Sequence, residues 1–136
     1  MLRQARLRGY EVQLVSGDAL ATDEFWMITG PAGEGARMTF FPDPRNNPEA
    51  AAVVARFRTQ NFDPVGYTLY AYGAVQAWAL AVEQAGTLEL NAVIAALQSG
   101  RFPTVLGEIG FDEKGDVTTS GFVWYVWKNG EYVLAP

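Results

Sequence analysis

MTFFPDPRNNP, residues 38–48, joins a short apolar strand to a crossover that contains three prolines. The apolar and β-branched residues from Met38 to Phe41 predict a buried strand. Proline neither donates to a strand ladder nor continues a helix, so the run Pro42–Pro48 predicts the main internal boundary of the chain. The chain is therefore expected to have a front that ends in a strand and a rear that begins with a helix.

In front of the crossover, helix and strand signals alternate. Residues 2–8 predict the end of a helix closed by Gly9, and Glu11–Val15 predicts a short buried strand. Thr22 is a suitable N-cap for a short helix over Asp23–Thr29. Strand, helix and strand in this order are typical of a Rossmann-like α/β layer.

Behind the crossover, the sequence predicts helices first and short strands afterwards. The expected helices are Pro48–Gln60, Gly66–Ala85 and Leu90–Gln98. The middle one is apolar on most sides, which predicts that it is largely buried. The expected strands are Phe102–Leu106, Ile109–Phe111, and an antiparallel hairpin of Phe122–Trp127 and Tyr132–Leu134 about the turn signal Asn129-Gly130.

Composition excludes several classes of function. The 136 residues fit one domain, and a net charge of −5 offers no basic face for nucleic acid. The sequence contains no Cys and no His, which removes thiol nucleophiles, Cys/His metal sites and Ser-His-Asp chemistry. We therefore expect no catalytic residues, no metal and no cofactor. No apolar run reaches the roughly 18 residues that span a bilayer, so no direct membrane insertion is expected, and the Arg-rich start does not predict a signal peptide in these residues.

Three segments, in order, resemble one known family. They are GYTLYAYGAVQAW (66–78), TVLGEIGFDEKGD (104–116) and VWYVWKNG (123–130). Together they resemble the long helix after a crossover, the G-x-[ILV]-x-F-D-x-x-G-D segment and the closing hairpin of type I periplasmic solute-binding proteins. More narrowly, they resemble the leucine/isoleucine/valine-binding family that serves ABC transporters.

The resemblance implies two α/β lobes joined by three crossovers, with a solute clamped in the cleft between them. This chain would supply about the last third of such a protein, as Rossmann-like partial lobes with a C-terminal antiparallel hairpin. Within the single unit 1–136, residues 1–41 would belong to the C-terminal lobe, 42–117 to the N-terminal lobe, and 118–136 to the closing hairpin of the C-terminal lobe. The resemblance also implies a periplasmic location, an amino-acid ligand in the full-length form and an ABC transporter permease as partner.

Asp18 is the first candidate for a ligand contact. It follows the predicted strand 11–15, and open α/β sheets bind ligands at the carboxyl ends of their strands. A carboxylate there can pair with a ligand ammonium, although an Asp in such a loop can equally serve only to close the turn. The resemblance matches Asp18 to the acidic residue that holds the α-ammonium group.

Tyr67 and Tyr70 are the second candidates, at the start of the long predicted helix. Aromatic side chains commonly line apolar ligand pockets, but they also pack in ordinary cores, and the residues alone leave both interpretations open. The four tryptophans are interpreted as core residues. The acidic run Asp112–Asp116 does not match the spacing of a calcium loop, so it is interpreted as a surface turn.

Three functions compete on these observations. The first is a binding module that delivers an amino acid, with an aliphatic or aromatic side chain, to an ABC importer; this chain alone is expected to be unable to bind. The second is an enzyme on a flavodoxin-like scaffold, which the lack of His, Cys and a nucleophile motif disfavours. The third is a ligand-free interaction or oligomerisation module. Unpaired strand edges and an apolar helix also predict a homo-oligomer.

Overall fold

A computed structural model describes residues 1–119 and 121–136, and Ser120, within the predicted segment 118–136, lies outside the described residues. The elements are α1 (Leu2–Leu7), β1 (Val15–Ser16), α2 (Asp23–Thr29), β2 (Arg37–Phe40), α3 (Ala51–Thr59), α4 (Thr68–Ala85), α5 (Leu90–Ser99), β3 (Phe102–Thr104), β4 (Gly107–Ile109), β5 (Val123–Lys128) and β6 (Glu131–Leu134). The chain forms two compact units. One comprises Met1–Pro42 and Gly121–Pro136, and the other comprises the chain between them.

The first unit is built on a four-stranded sheet in the order β1-β2-β5-β6. β1 and β2 are parallel and α2 lies between them in sequence, so the predicted Rossmann-like front is confirmed. β5 is antiparallel to both β2 and β6. Asn129 and Gly130 close the predicted hairpin with φ of 53° and 91°, as a tight turn with two positive φ angles requires.

The core of this unit lies on one face of the sheet. Met38 and Phe40 alternate on β2, and Tyr125 and Trp127 alternate on β5; all four are buried. This period of two is the one that a strand with one buried face shows. Trp127 is fully buried and its ring packs against the rings of Phe25, Trp26 and Tyr132.

The second unit consists of α3, α4, α5 and the β3–β4 hairpin. One face of α4 is buried. Ala77 and Ala81 pack against α5 and β3, whereas Leu69 packs against α3 and Val105, and Gly73 lies against Leu106. These positions recur every four residues, so they form one stripe along the helix. The prediction that α4 is largely buried is wrong for the opposite face, because the neighbouring elements of this unit cover only this stripe; Val75 and Trp78 are exposed.

Several predicted boundaries are wrong. Only Val15–Ser16 forms a strand where Glu11–Val15 was expected. Pairing with β2 begins where the Leu14 carbonyl accepts from the Arg37 amide at 2.9 Å, and the side chain of Gln13 donates to the Gly35 carbonyl. The predicted Pro48–Gln60 helix begins with a 3₁₀ turn, Pro48–Ala50, before α3. The predicted Gly66–Ala85 helix begins at Thr68, after Gly66 adopts a φ of 60°.

The strands predicted at Phe102–Leu106 and Ile109–Phe111 are present with different bounds, as β3 and β4, and they pair in a tight antiparallel hairpin. The Thr104 hydroxyl accepts a hydrogen bond from the Leu106 amide at 3.0 Å and donates one to the Gly107 carbonyl at 2.9 Å. Gly107 has a φ of 89°, which favours glycine. A polar side chain therefore closes a turn inside the stretch that apolar residues predicted to be strand.

The tryptophans also differ from one another. Trp127 is buried as predicted and Trp26 is half-buried, whereas Trp78 and Trp124 are 51% and 49% exposed, so their interpretation as core residues is wrong. Trp124 lies on the sheet face opposite to Trp127.

Among the described residues no single helix is both long and apolar enough to cross a membrane; α4 and α5 meet that test only as a pair bent by 108°.

Candidate functional site

Asp18 follows β1 after Gly17, at the carboxyl end of that strand. It is the first residue of a 3₁₀ turn, Asp18–Leu20, that begins in the predicted loop. The Ala21 amide donates to the Asp18 carbonyl at 2.8 Å, which closes the turn through the backbone. The Asp18 side chain is exposed. Carboxyl ends of parallel strands are where open α/β sheets present ligand-binding groups.

The turn that carries Asp18 is held by Trp127 of β5. The indole Nε1 of Trp127 donates to the Leu20 carbonyl at 3.2 Å, and the ring packs against Phe25 and Trp26 of α2 at centroid distances of 5.2 and 6.0 Å. A rigid aromatic ring that is locked by packing fixes the backbone it bonds. Sequence reasoning missed this role, because nothing in the sequence pairs Trp127 with a residue more than a hundred positions earlier.

Tyr67 and Tyr70 lie together at the start of α4. Tyr67 precedes the first helical residue and is 47% exposed, and its carbonyl accepts a hydrogen bond from the Ala71 amide at 2.9 Å. Tyr70 is half-buried one turn further on. Residues three apart share a helix face, so the two rings belong to the same surface of the second unit. Asp18 belongs to the first unit.

A groove of about 500 Å³ in the first unit contains none of the predicted site residues. It lies between α1 and the segment that follows α2, and Arg3, Arg6, Met27 and Ile28 are among its lining residues. An Arg3 Nη1 donates to the Ile28 carbonyl at 3.3 Å across it.

The acidic run Asp112–Asp116 is a turn, as the sequence predicts. One carboxylate oxygen of Asp112 accepts from the amides of Lys114 and Asp116, both at 2.9 Å. The side chain therefore closes its own loop. Within residues 1–119 and 121–136, no three Asp, Glu, His or Cys side chains are grouped as metal ligands.

The fold defines a class of protein: an α/β protein in which an acidic residue, Asp18, lies at the carboxyl end of a parallel strand. A family model described as periplasmic binding protein matches residues 1–131. The chain belongs to the periplasmic binding protein family.

The curated relatives that this chain resembles are named as amino-acid-binding proteins. The Leu/Ile/Val-binding protein homolog 1 of Brucella suis is 45% identical over 131 residues, which are 96% of this chain and 35% of that protein. An amino acid binding protein of Pseudomonas aeruginosa is 37% identical over an alignment of 139 positions, which covers all of this chain and 37% of that protein. The chain thus spans about a third of the length of the curated relatives it matches.

Solved structures agree. A leucine-binding protein from Thermotoga maritima superposes with a TM-score of 0.84 at 27% identity, covering 99% of this chain and 39% of that one. A substrate-binding protein of an ABC transporter from Desulfitobacterium hafniense, solved with leucine, superposes with a TM-score of 0.74 at 25% identity, covering 98% and 38%. The expected fold, α/β with a C-terminal antiparallel strand pair, is confirmed, and the expected family is confirmed with it.

Proposed function

We propose that this chain is part of the amino-acid-binding component of an ABC importer. The observation that carries the proposal is the 45% identity, over 96% of the chain, to a protein named for binding leucine, isoleucine and valine. The relatives are solute-binding proteins and not enzymes, which agrees with the absence of Cys and His from the sequence.

Asp18 is the proposed partner of the ligand's α-ammonium group. The residue is exposed at the carboxyl end of β1, and the turn beneath it is fixed by the fully buried Trp127. A carboxylate on a pre-ordered turn binds an ammonium group without first losing the entropy of ordering its own backbone. The charge selects for an ammonium over an anionic group.

Tyr67 and Tyr70 are proposed to contact the ligand's side chain. They share one face at the start of α4, and the exposed fraction of Tyr67 leaves ring surface for an apolar group. Aliphatic and aromatic side chains fit such a surface, whereas a charged side chain would lose its hydration there without a partner.

The lobe assignment follows from the same resemblance. The first unit, with β1, β2, β5 and β6, is proposed as part of the C-terminal lobe, and the second unit, with α3, α4 and α5, as part of the N-terminal lobe. Because the matched relatives are almost three times as long, full affinity is expected only when the remaining part of the protein is present. A periplasmic location and an ABC transporter permease as partner are proposed on the same basis.

A ligand-free module that self-associates is the second candidate. Val75 and Trp78 are 63% and 51% exposed on the outer face of α4, and β1 is an edge strand of its sheet. Apolar helix faces and open edges favour association with another chain. Light scattering on the purified chain tests this candidate: a homodimer or larger oligomer is expected, and a stable monomer at micromolar concentration would contradict it.

A chimera separates the two candidates. The segment of the Brucella suis homolog that matches this chain is replaced by residues 1–131, and the chimera and the parent are titrated calorimetrically with leucine, isoleucine, valine, phenylalanine and aspartate. The amino-acid-binding proposal predicts heat of binding for apolar amino acids and none for aspartate. A folded chimera that binds no amino acid, beside a parent that binds, would support the ligand-free candidate.

A further inference from the structure

A network of four charged residues joins the crossover to the end of α3 within the second unit. Arg45 donates from Nε to both carboxylate oxygens of Asp43, at 3.0 and 2.9 Å, and from Nη2 to Oδ2 at 2.6 Å. The Nη1 of Arg45 donates to Oδ2 of Asp63, and the Nε of Arg58 donates to Oδ1 of Asp63 at 2.7 Å. Asp63 is therefore the junction at which the crossover and the last turn of α3 meet.

The segment from Asp63 to Tyr67 connects this junction to the start of α4. The Val65 amide donates to the Asp63 carbonyl at 2.8 Å, and the Thr68 amide and hydroxyl both donate to the Val65 carbonyl, at 3.3 and 3.0 Å. Pro64 between them is fully buried. A run of consecutive turns around a buried proline has little freedom, so the place of Asp63 sets where α4 begins.

We propose that Asp63 is a positioning residue, which holds the start of α4, with Tyr67 and Tyr70, fixed to the crossover residue Asp43. The inference rests on the function proposed above, because it gives the two tyrosines a role in ligand contact. The inference adds that Asp43, the first residue after the unit boundary at Pro42, moves together with Tyr67 and Tyr70 at the start of α4. Asp63 acts through the backbone that follows it.

Packing of aromatic rings also connects α3 with α4. The ring of Phe57 lies 5.7 Å from that of Phe62 and 6.2 Å from that of Tyr72. If this packing alone held α4, the charge of Asp63 would not matter. The two contributions separate by pH, since aromatic packing does not titrate in the acid range.

The charged groups against Asp63 are Arg45, from the 3₁₀ turn after the crossover, and Arg58, from α3, with Asp43 behind Arg45. The Arg58 hydrogen bond, followed by that of Arg45, lowers the pKa of Asp63 below its ordinary value. Because the pKa of Asp63 is lowered, the stabilisation by its ion pairs is present at pH values above the ordinary aspartate range, near pH 4. It is lost as the pH falls through the lowered pKa.

Hydrogen exchange on the chain itself tests the proposal without any ligand. In Asp63→Asn, the amides of residues 68–72 are expected to exchange about tenfold faster, because the charge-assisted bonds to two guanidinium groups are lost at a partly exposed site. Asp63→Glu keeps the charge and should restore most of the protection. Asp116→Asn removes the same charge from an exposed turn and should leave residues 68–72 unchanged.

The pH profile distinguishes positioning from a general loss of stability. The quantity measured is the ratio of protection at residues 68–72 to protection at the amides of β3 and β4. In the wild type this ratio is expected to stay constant down to pH 4 and to decrease at lower pH. In Asp63→Asn it should be low and independent of pH. Equal protection in wild type and Asp63→Asn, or an Asp116→Asn effect of the same size, would overturn the inference. Failure of the chimera to bind leucine would overturn the proposed function and leave the exchange result standing.

Discussion

Replacing Trp127 by Phe tests the support beneath Asp18. The substitution removes the hydrogen bond from Nε1 to the Leu20 carbonyl, worth about 1 kcal/mol net, because the phenyl ring has no donor. It also leaves space beside Phe25, Trp26 and Tyr132 in a site where Trp127 is fully buried, which costs about 1–2 kcal/mol more. The expected loss of unfolding free energy is therefore about 2–3 kcal/mol.

Urea denaturation followed by far-ultraviolet circular dichroism measures this loss without relying on tryptophan fluorescence. Trp124→Phe is the matched control, since Trp124 lies on the same strand but is 49% exposed, and its effect should stay within about 0.5 kcal/mol. The Ala21 amide, which bonds the Asp18 carbonyl, should also exchange faster in Trp127→Phe. Equal destabilisation by the two substitutions would refute the role assigned to Trp127.

Two further predictions concern packing and affinity. Gly73→Val should destabilise the chain by about 2–3 kcal/mol, because a Cβ at Gly73 would lie 2.8 Å from Cγ of Leu106; adding Leu106→Ala should recover part of the loss, and additive losses in the double variant would contradict the contact. Leucine, isoleucine and valine should bind the isolated chain no tighter than about 1 mM, or about −4 kcal/mol, since recognition is proposed to need the rest of the protein; a micromolar constant by calorimetry would contradict this.

The first unit shows what local signals predict well. The Asn129-Gly130 turn and the alternation along β5 place the hairpin almost to the residue, because both the turn chemistry and the period of two are encoded by neighbours in sequence. The parallel pairing of β1 with β2 follows from the order of strand, helix and strand. The length of β1 does not follow from that order, because it depends on which residues form backbone hydrogen bonds with β2.

The second unit shows where sequence reasoning fails. The apolar residues of α4 predict burial all round, but packing buries only the stripe of Leu69, Gly73, Ala77 and Ala81. Likewise, the Thr104 side chain turns the chain inside an apolar stretch. Both outcomes depend on contacts between residues distant in sequence or on a single side-chain hydrogen bond, and periodicity carries neither.

The candidate site also combines residues that the sequence indicates with residues that only the folded structure reveals. Asp18, Tyr67 and Tyr70 were selected from position and resemblance, and their role in ligand binding stays a prediction. The residues that fix their surroundings, Trp127 and Asp63, carry no sequence signal, because indole-to-carbonyl and carboxylate-to-guanidinium bonds form only once the chain has folded.

Leucine titration of the Brucella chimera with and without Asp18 tests the central proposal most directly. Asp18→Ala should weaken binding by about 2–5 kcal/mol, the usual effect of removing one partner of a buried charge pair. Asp23→Ala, which removes the same charge from the first turn of α2, should leave the affinity within a factor of about two. Leucine affinity that is unchanged by Asp18→Ala, in a chimera that binds as its parent does, would contradict the assignment of Asp18 to the ligand's ammonium group.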